Sequence, residues 1–178
     1  MTTEEQILNA AADLLEKKGL EAMTTRAVCD AAGITAPTLY HHFGDKDGLL
    51  RAVVLRGVNQ FMVRKRASRT TADALADLRR GWDSWIGFAI ARPRLFRLMI
   101  ESTHADPSAT QEAFVIMREI VERLHAEGRL LTDVETAART IWAASNGVLT
   151  LFMQGTPAAD IRRTSDLLID AMVARVVK

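Results

Sequence analysis

Cysteine is almost missing from this 178-residue chain: Cys29 is the single one, so no disulfide within the chain can staple the fold, and a reducing compartment suits it. With 4 prolines and 10 glycines, no stretch reads as a low-complexity segment or a flexible linker. Neither sign of charge dominates, since 23 Lys and Arg stand against 22 Asp and Glu. That balance excludes a globally basic nucleic-acid binder and leaves only a local patch for such a role. No apolar run approaches a membrane span and no basic-then-apolar leader opens the chain. The expectation is a cytoplasmic protein with no membrane partner and an ordinary hydrophobic core.

Alternating strand patterns are lacking as well, and helical periodicity takes their place. Residues 4–18 put Ile7, Leu8, Ala11, Leu14 and Leu15 on one stripe, and Gly19 follows a lysine pair as a helix-ending glycine. Thr24 or Thr25 can cap a helix to Ala32, and Thr35 can cap the next, with Pro37 in its first turn. Asp45 starts a long helix to about residue 68, and Thr70 or Thr71 starts another that breaks at Ala91-Arg92-Pro93. A short helix over 94–101 precedes an interior loop at 103–110, and helices follow at about 108–127, 133–154 and 158–177. The fold class is all-α, with a helix from 45 belonging to both halves.

Gly33 sits between two short helices, the second of which opens on small residues. That is a helix-turn-helix pattern, in which the glycine supplies the unusual dihedral and the small residues allow close approach to base edges. An ordinary helical hairpin has the same turn. The longer run ILNAAADLLEKKGLEAMTTRAVCDAAGITAPTLYHHFGDKDGLL resembles the DNA-binding domain of TetR-family transcriptional regulators. The matching elements are the first helix, Gly19, Thr24-Thr25, Ala31 to Ile34, Thr38 to Tyr40, Phe43, Lys46 and Leu49.

The resemblance implies a three-helix helix-turn-helix domain at 1–48 and an effector-binding and dimerisation domain at 49–178. By the same resemblance Thr35, Ala36, Pro37 and Thr38 would lead a recognition helix into the major groove, while Tyr40, His41 and His42 grip phosphates. Lys46 would add a phosphate contact at a helix N-terminus, and Thr25 and Arg26 would hold the opposite groove wall. Leu39, Phe43, Val28 and Cys29 read as core. Residues 1–50 carry more acids than bases, though residues 33–44 carry no acid, so two copies must act together. Arg64, Lys65, Arg66 and Arg69 lie too far along the connector to reach that DNA.

The C-terminal half resembles a TetR subgroup marked by a Trp-His-Gly signature, here Trp142, Asn146 and Gly147 with asparagine in the histidine position. Trp82, Trp85, Phe88, Met99, Phe114, Met117 and Trp142, with Phe61 and Asn146, are candidates to line a cavity for a small apolar or aromatic effector. For any single one of them core packing is the more common role, and the cavity reading rests on the set taken together. Helices 133–154 and 158–177 are apolar on more than one face, which points to an isologous homodimer interface using Ile141, Ala144, Val148, Leu151, Leu168 and Met172. An effector there would shift the helix at 94–101 and the connector, and release the operator. No cofactor is called for. The competing readings are a helical ligand-binding module without DNA, and a di-metal carboxylate enzyme built on Glu101/His104 and Glu122/His125.

Overall fold

The computed structural model describes residues 1–67, 70–102 and 108–178. Among these residues it contains nine helices: α1 (Thr3–Lys18), α2 (Thr25–Ala32), α3 (Ala36–Phe43), α4 (Lys46–Ala67), α5 (Ala74–Ala91), α6 (Pro93–Ser102), α7 (Ser108–Ala126), α8 (Val134–Met153) and α9 (Ala158–Val176). Of the loop expected at 103–110, residues 103–107 fall outside the described residues, as does Arg69, and 108–110 form the start of α7. Contacts divide the chain into two compact units. The first holds α1 to α3, α4 as far as Val63, and α6. The second holds the last turn of α4 from Arg64, together with α5 and α7 to α9. The boundary expected from the sequence, at 48/49, therefore differs from the contact boundary, which falls inside α4.

In the first unit, α1 starts with a reciprocal cap. The Thr2 hydroxyl accepts from the Glu5 N–H at 3.2 Å, and the Thr2 N–H donates to the Glu5 carboxylate at 2.8 Å. Ile7, Leu8, Ala11 and Leu15 are buried, and burial of each large side chain contributes about 1.5–3 kcal/mol. The α6 helix opens on Pro93, whose missing N–H costs nothing in a first turn. It is fastened to the end of α1, where Arg94 donates to the Glu16 carbonyl at 2.7 Å and Glu16 accepts from the Leu95 N–H at 2.9 Å. From α4, Arg56 donates to the Glu5 carbonyl at 3.0 Å and to Asn9 Oδ1 at 2.8 Å. Leu95 also covers Gly57, where a Cβ would come within 2.4 Å of its Cδ2.

In the second unit α5 packs on α7, α8 and α9, α7 packs on α8, and α8 packs on α9. Trp82 crosses from α5 to α9 and donates through Nε1 to the buried Ser165 hydroxyl at 2.7 Å. Helix α5 begins at Ala74, not at Thr70 or Thr71, because the Asp73 carboxylate accepts from the Leu75 and Ala76 N–H groups at 2.9 and 3.2 Å. The chain end doubles back on the turn before α8: the Leu131 N–H donates to Val176 at 2.9 Å and the Lys178 N–H to Arg129 at 2.7 Å. No described helix is long and apolar enough to cross a membrane.

Candidate nucleic-acid interface and ligand cleft

The α2–α3 corner is set by glycine. Gly33 has φ 66° and ψ 37°, the left-handed conformation that costs other residues a steric penalty, and the Cys29 carbonyl accepts from the Ile34 N–H at 3.1 Å. Thr24, not Thr25, caps α2, with its hydroxyl accepting from the Ala27 N–H at 3.1 Å. Val28, Cys29 and Leu39 are buried beneath the corner, and Phe43 is half-buried. Burial, with the Asp30 charge beside it, raises the Cys29 thiol above its ordinary value, so the thiol stays protonated and inert.

Helix α3 turns Leu39 inward and presents Pro37, Tyr40, His41 and His42 outward, with Thr35 exposed at its N-cap. The Thr35 and Thr38 hydroxyls lie 3.0 Å apart and bond to each other, so Thr35 makes no side-chain cap to the backbone. Both hydroxyls keep further capacity for an outside partner. Ala36 is half-buried on the α3 side that also carries Leu39 and Phe43, which leaves Pro37 as the more exposed apolar group of the leading turn. Arg26 and Thr25 stand at the start of α2; Arg26 is well exposed and lies 3.9 Å from Asp30.

The turn from α3 into α4 depends on Gly48, which no local sequence pattern marks. Asp45 caps α4, its carboxylate accepting from the Gly48 N–H at 2.6 Å. A Cβ built on Gly48 would lie 2.0 Å from the Phe43 carbonyl oxygen, which is backbone and cannot swing aside. Only glycine lets the last turn of α3 sit this close to the first turn of α4. Lys46 is exposed at that N-terminus, between Asp45 and Asp47.

The aromatic residues of the second unit converge as a packed cluster. Trp85 stacks on Trp142 with centroids 5.8 Å apart, Phe114 meets Trp142 edge-on at 5.6 Å, and Trp85 stacks on Phe88 at 6.5 Å. Trp82, Trp85, Met117 and Trp142 line a narrow slot of about 30 Å³ with Leu78, Ile120, Ile141, Ser145, Gly81 and Lys65. That is room for about one or two waters and not for a drug-sized molecule. Phe61 and Met99 are buried and belong to the first unit. Asn146 is half-buried on α8, one position beyond the slot-lining Ser145.

A second cleft, of about 320 Å³, was not foreseen from the sequence. Arg64, Lys65 and Arg66 from the end of α4, Asp77, Arg80, Gly81 and Ser84 from α5, and Ile116, Glu119, Ile120 and Arg123 from α7 line it, with Thr70. Lys65, Gly81 and Ile120 line both spaces. Asp77 is the buried hub: Arg123 donates to it at 2.6 Å, the Thr71 N–H and hydroxyl at 3.0 and 2.8 Å, and Arg80 closes the cluster. Burial pushes the Asp77 carboxyl up, but the Arg123 and Thr71 hydrogen bonds and the Arg80 charge outweigh it and hold it at about 2. Burial lowers Lys65 to about 8. The only hint in the sequence was the Arg64-Lys65-Arg66 run, because the partners come from segments far apart along the chain.

Three of the expected dimer residues, Ile141, Val148 and Met172, are already buried within the protomer and have little surface left to offer a second chain. Leu151 is exposed, and Ala144 and Leu168 are half-buried. The exposed stripes are instead Ala143, Gly147 and Leu151 on α8 and Leu167, Ala171 and Ala174 on α9, with Leu167 73% exposed. Of the Glu/His pairs, Glu122 bonds Arg118 at 2.7 Å on the α7 surface beside an exposed His125, and His104 lies outside the described residues. Among the described residues no group of three or more His, Cys, Asp or Glu could hold a metal.

Comparison with known proteins agrees with this arrangement. Residues 7–53 match the family model described as bacterial regulatory proteins, tetR family, and residues 78–176 match the Tetracyclin repressor-like, C-terminal domain. The second match is to that model and not to the Trp-His-Gly subgroup named from Trp142, Asn146 and Gly147. Relatives include the HTH-type transcriptional regulator UidR of Escherichia coli, 34% identical over 64 residues that make up 36% of this chain and 33% of UidR. The HTH-type transcriptional repressor KstR2 of Rhodococcus jostii is 27% identical over 77% of this chain and 60% of its own length. The chain thus spans about a third of UidR and less than two thirds of KstR2.

Among solved structures, SmeT, the repressor of the Stenotrophomonas maltophilia multidrug efflux pump SmeDEF, is 28% identical with a TM-score of 0.77, over 100% of this chain and 92% of SmeT. A putative transcriptional regulator from Saccharomonospora viridis, solved with choline, has a TM-score of 0.85 at 18% identity, over 98% of this chain and 97% of its own, and so shares the fold. Matched at the helix-turn-helix and over more than half its length by the C-terminal model, this chain belongs to the TetR family of bacterial transcriptional regulators.

Proposed function

We propose that this chain is a ligand-responsive regulator that binds a palindromic operator as a homodimer and represses until an effector occupies the second unit. The observation that carries the reading is the exposed face of α3, held at a glycine-set corner on a buried Leu39. Thr35, Pro37 and Thr38 would read base edges, with Ala36 beside them, while Tyr40, His41, His42, Lys46, Thr25 and Arg26 would hold the phosphates. DNA contact is thereby assigned to residues 1–48, and effector binding and dimerisation to the remainder. The names of KstR2 and SmeT as repressors support the sign of regulation.

Two copies would join through the exposed α8 and α9 stripes, where Gly147 and the alanines allow close approach and Leu151 and Leu167 supply apolar area. The dimer would set two α3 helices about 34 Å apart, one turn of DNA. Helix α4 runs unbroken from Lys46 to Ala67, so a ligand that shifts its last turn acts on the same helix that carries the phosphate contact. The short helix α6 is bonded to α1 and counts with the DNA-binding part, so α4 is the transmitting element in this scheme.

Mobility-shift titration with the upstream intergenic DNA of the chain's own gene tests the assignment. Lys46→Ala and Tyr40→Ala each weaken the complex about tenfold while the dimer mass in light scattering is unchanged. Loss of the dimer in either variant, or unchanged DNA affinity in both, overturns it.

A further inference from the structure

We propose that this regulator reads its half-sites through the 5-methyl groups of thymine, with Pro37 as the specificity-determining residue, and not through forked hydrogen bonds to base edges. This rests on the operator-binding reading above and names the base chemistry that the exposed face of α3 takes.

The face is defined first by what it omits. From Gly33 to Gly44 the chain carries no Arg, Lys, Asn, Gln, Asp or Glu. Arg and Lys are the side chains that fork onto guanine O6 and N7, and Asn and Gln fork onto adenine N6 and N7. Asp and Glu accept from cytosine N4. None of these contacts is open to α3. Tyr40, His41 and His42 are exposed, but they follow the leading turn, and each ring atom makes only single hydrogen bonds.

The N-terminal residues of a recognition helix are the ones that meet base edges. Here they are Thr35, Ala36, Pro37 and Thr38. The Thr35 and Thr38 hydroxyls bond to each other at 3.0 Å, so one of their two protons is used inside the turn. Pro37 has no N–H, which removes one of the donors that the first turn of a helix otherwise turns outward. Carbon takes the place of those donors. The Pro37 ring is exposed, the Thr35 and Thr38 side chains each add a methyl group, and Ala36 is half-buried beside them. In the major groove the apolar mark on a base edge is the thymine methyl, and apolar side-chain carbon is what contacts it. The proline ring has no side-chain rotamers to lose, so packing it on a methyl costs little entropy.

Anisotropy titrations of the intact protein test this with two labelled duplexes of the upstream intergenic sequence. The second carries deoxyuridine in place of every thymine, which deletes the methyl groups and keeps base pairing and phosphates. The wild type is expected to bind the thymine duplex about fifteenfold tighter, since each methyl contributes about fourfold and the dimer meets one in each half-site. Pro37→Ser removes the ring carbons and restores the N–H, and serine suits a helix N-terminus. It is expected to bind the two duplexes within about threefold of each other. Lys46→Ala weakens both duplexes alike and keeps the wild-type ratio, because a phosphate contact is blind to the base. Deoxyuridine placed at one thymine at a time, with the wild type alone, then locates the loss at one or two symmetry-related positions per half-site. That scan decides the proposal even if Pro37→Ser does not fold.

Equal affinity for the two duplexes overturns the proposal. So does a loss spread evenly along the duplex, or an unchanged ratio in folded Pro37→Ser, which assigns the effect to DNA shape. Selective binding of the upstream DNA together with any of these results retains the regulator and removes methyl reading. Absence of selective binding removes the regulator and the proposal with it.

Discussion

Asp77 is where burial and charge meet most sharply. A buried carboxylate without partners would take up a proton near neutral pH, yet Asp77 stays ionised to about 2 because Arg123, Thr71 and Arg80 surround it. Its depressed value makes it stabilising above the ordinary carboxylate range, and that contribution is lost as pH falls from about 4 to about 2. Urea midpoints measured across this window should drop with acid in the wild type and much less in Asp77→Asn. At neutral pH Asp77→Asn should cost about 2–4 kcal/mol, since it strands two guanidinium groups at the cleft. Gly48 is the second decisive residue. Gly48→Ala forces its methyl against the Phe43 carbonyl, so it should lower operator affinity by tenfold or more through a displaced α3, at a stability cost of about 1–3 kcal/mol. Equal operator affinity in Gly48→Ala would remove the glycine from the account.

At the scale of single helices, the capping residues explain most of the boundaries. Thr2, Thr24 and Asp133 each accept from a first-turn N–H, and Gly19 and Gly33 end α1 and α2. These features, with the apolar stripes, made nearly every helix legible in the sequence, because caps and periodicity are local. Helix α5 shows where local reading stops. Thr70, Thr71 and Asp73 are all competent caps, and the long-range pairing of Thr71 with Asp77 and Arg123 leaves the cap to Asp73. The expected dimer residues show a related limit. A helix apolar on two faces does not say which face its own fold uses, and Ile141, Val148 and Met172 turn inward. Leu167→Glu is therefore expected to shift the protein toward monomer in analytical ultracentrifugation, whereas Met172→Glu should unfold the second unit instead. Gly81 offers the opposite change: a Cβ there meets open space within a helix, so Gly81→Ala should raise stability by about 0.5–1 kcal/mol in thermal melts.

Over the whole molecule, one chain carries a helix-turn-helix corner and a charged cleft, and α4 contributes residues to both compact units. The corner was legible in the sequence because Gly33, the small leading turn and Lys46 sit within one short run. The cleft was not, because its charge comes from the end of α4, the first turns of α5 and the second half of α7, which only the fold assembles. Sparse local charge also sets what DNA binding should look like. Two copies each of Lys46 and Arg26, contacting DNA as proposed, would neutralise about four phosphates, which corresponds to a slope near −3.6 in log affinity against log salt. The most direct test is anisotropy of labelled upstream DNA against a scrambled duplex over a range of salt. Selective binding to the upstream duplex is expected, with a shallow slope of about −2 to −5 that falls to about half in Lys46→Ala. Indistinguishable binding to the two duplexes, or no salt dependence, would contradict it.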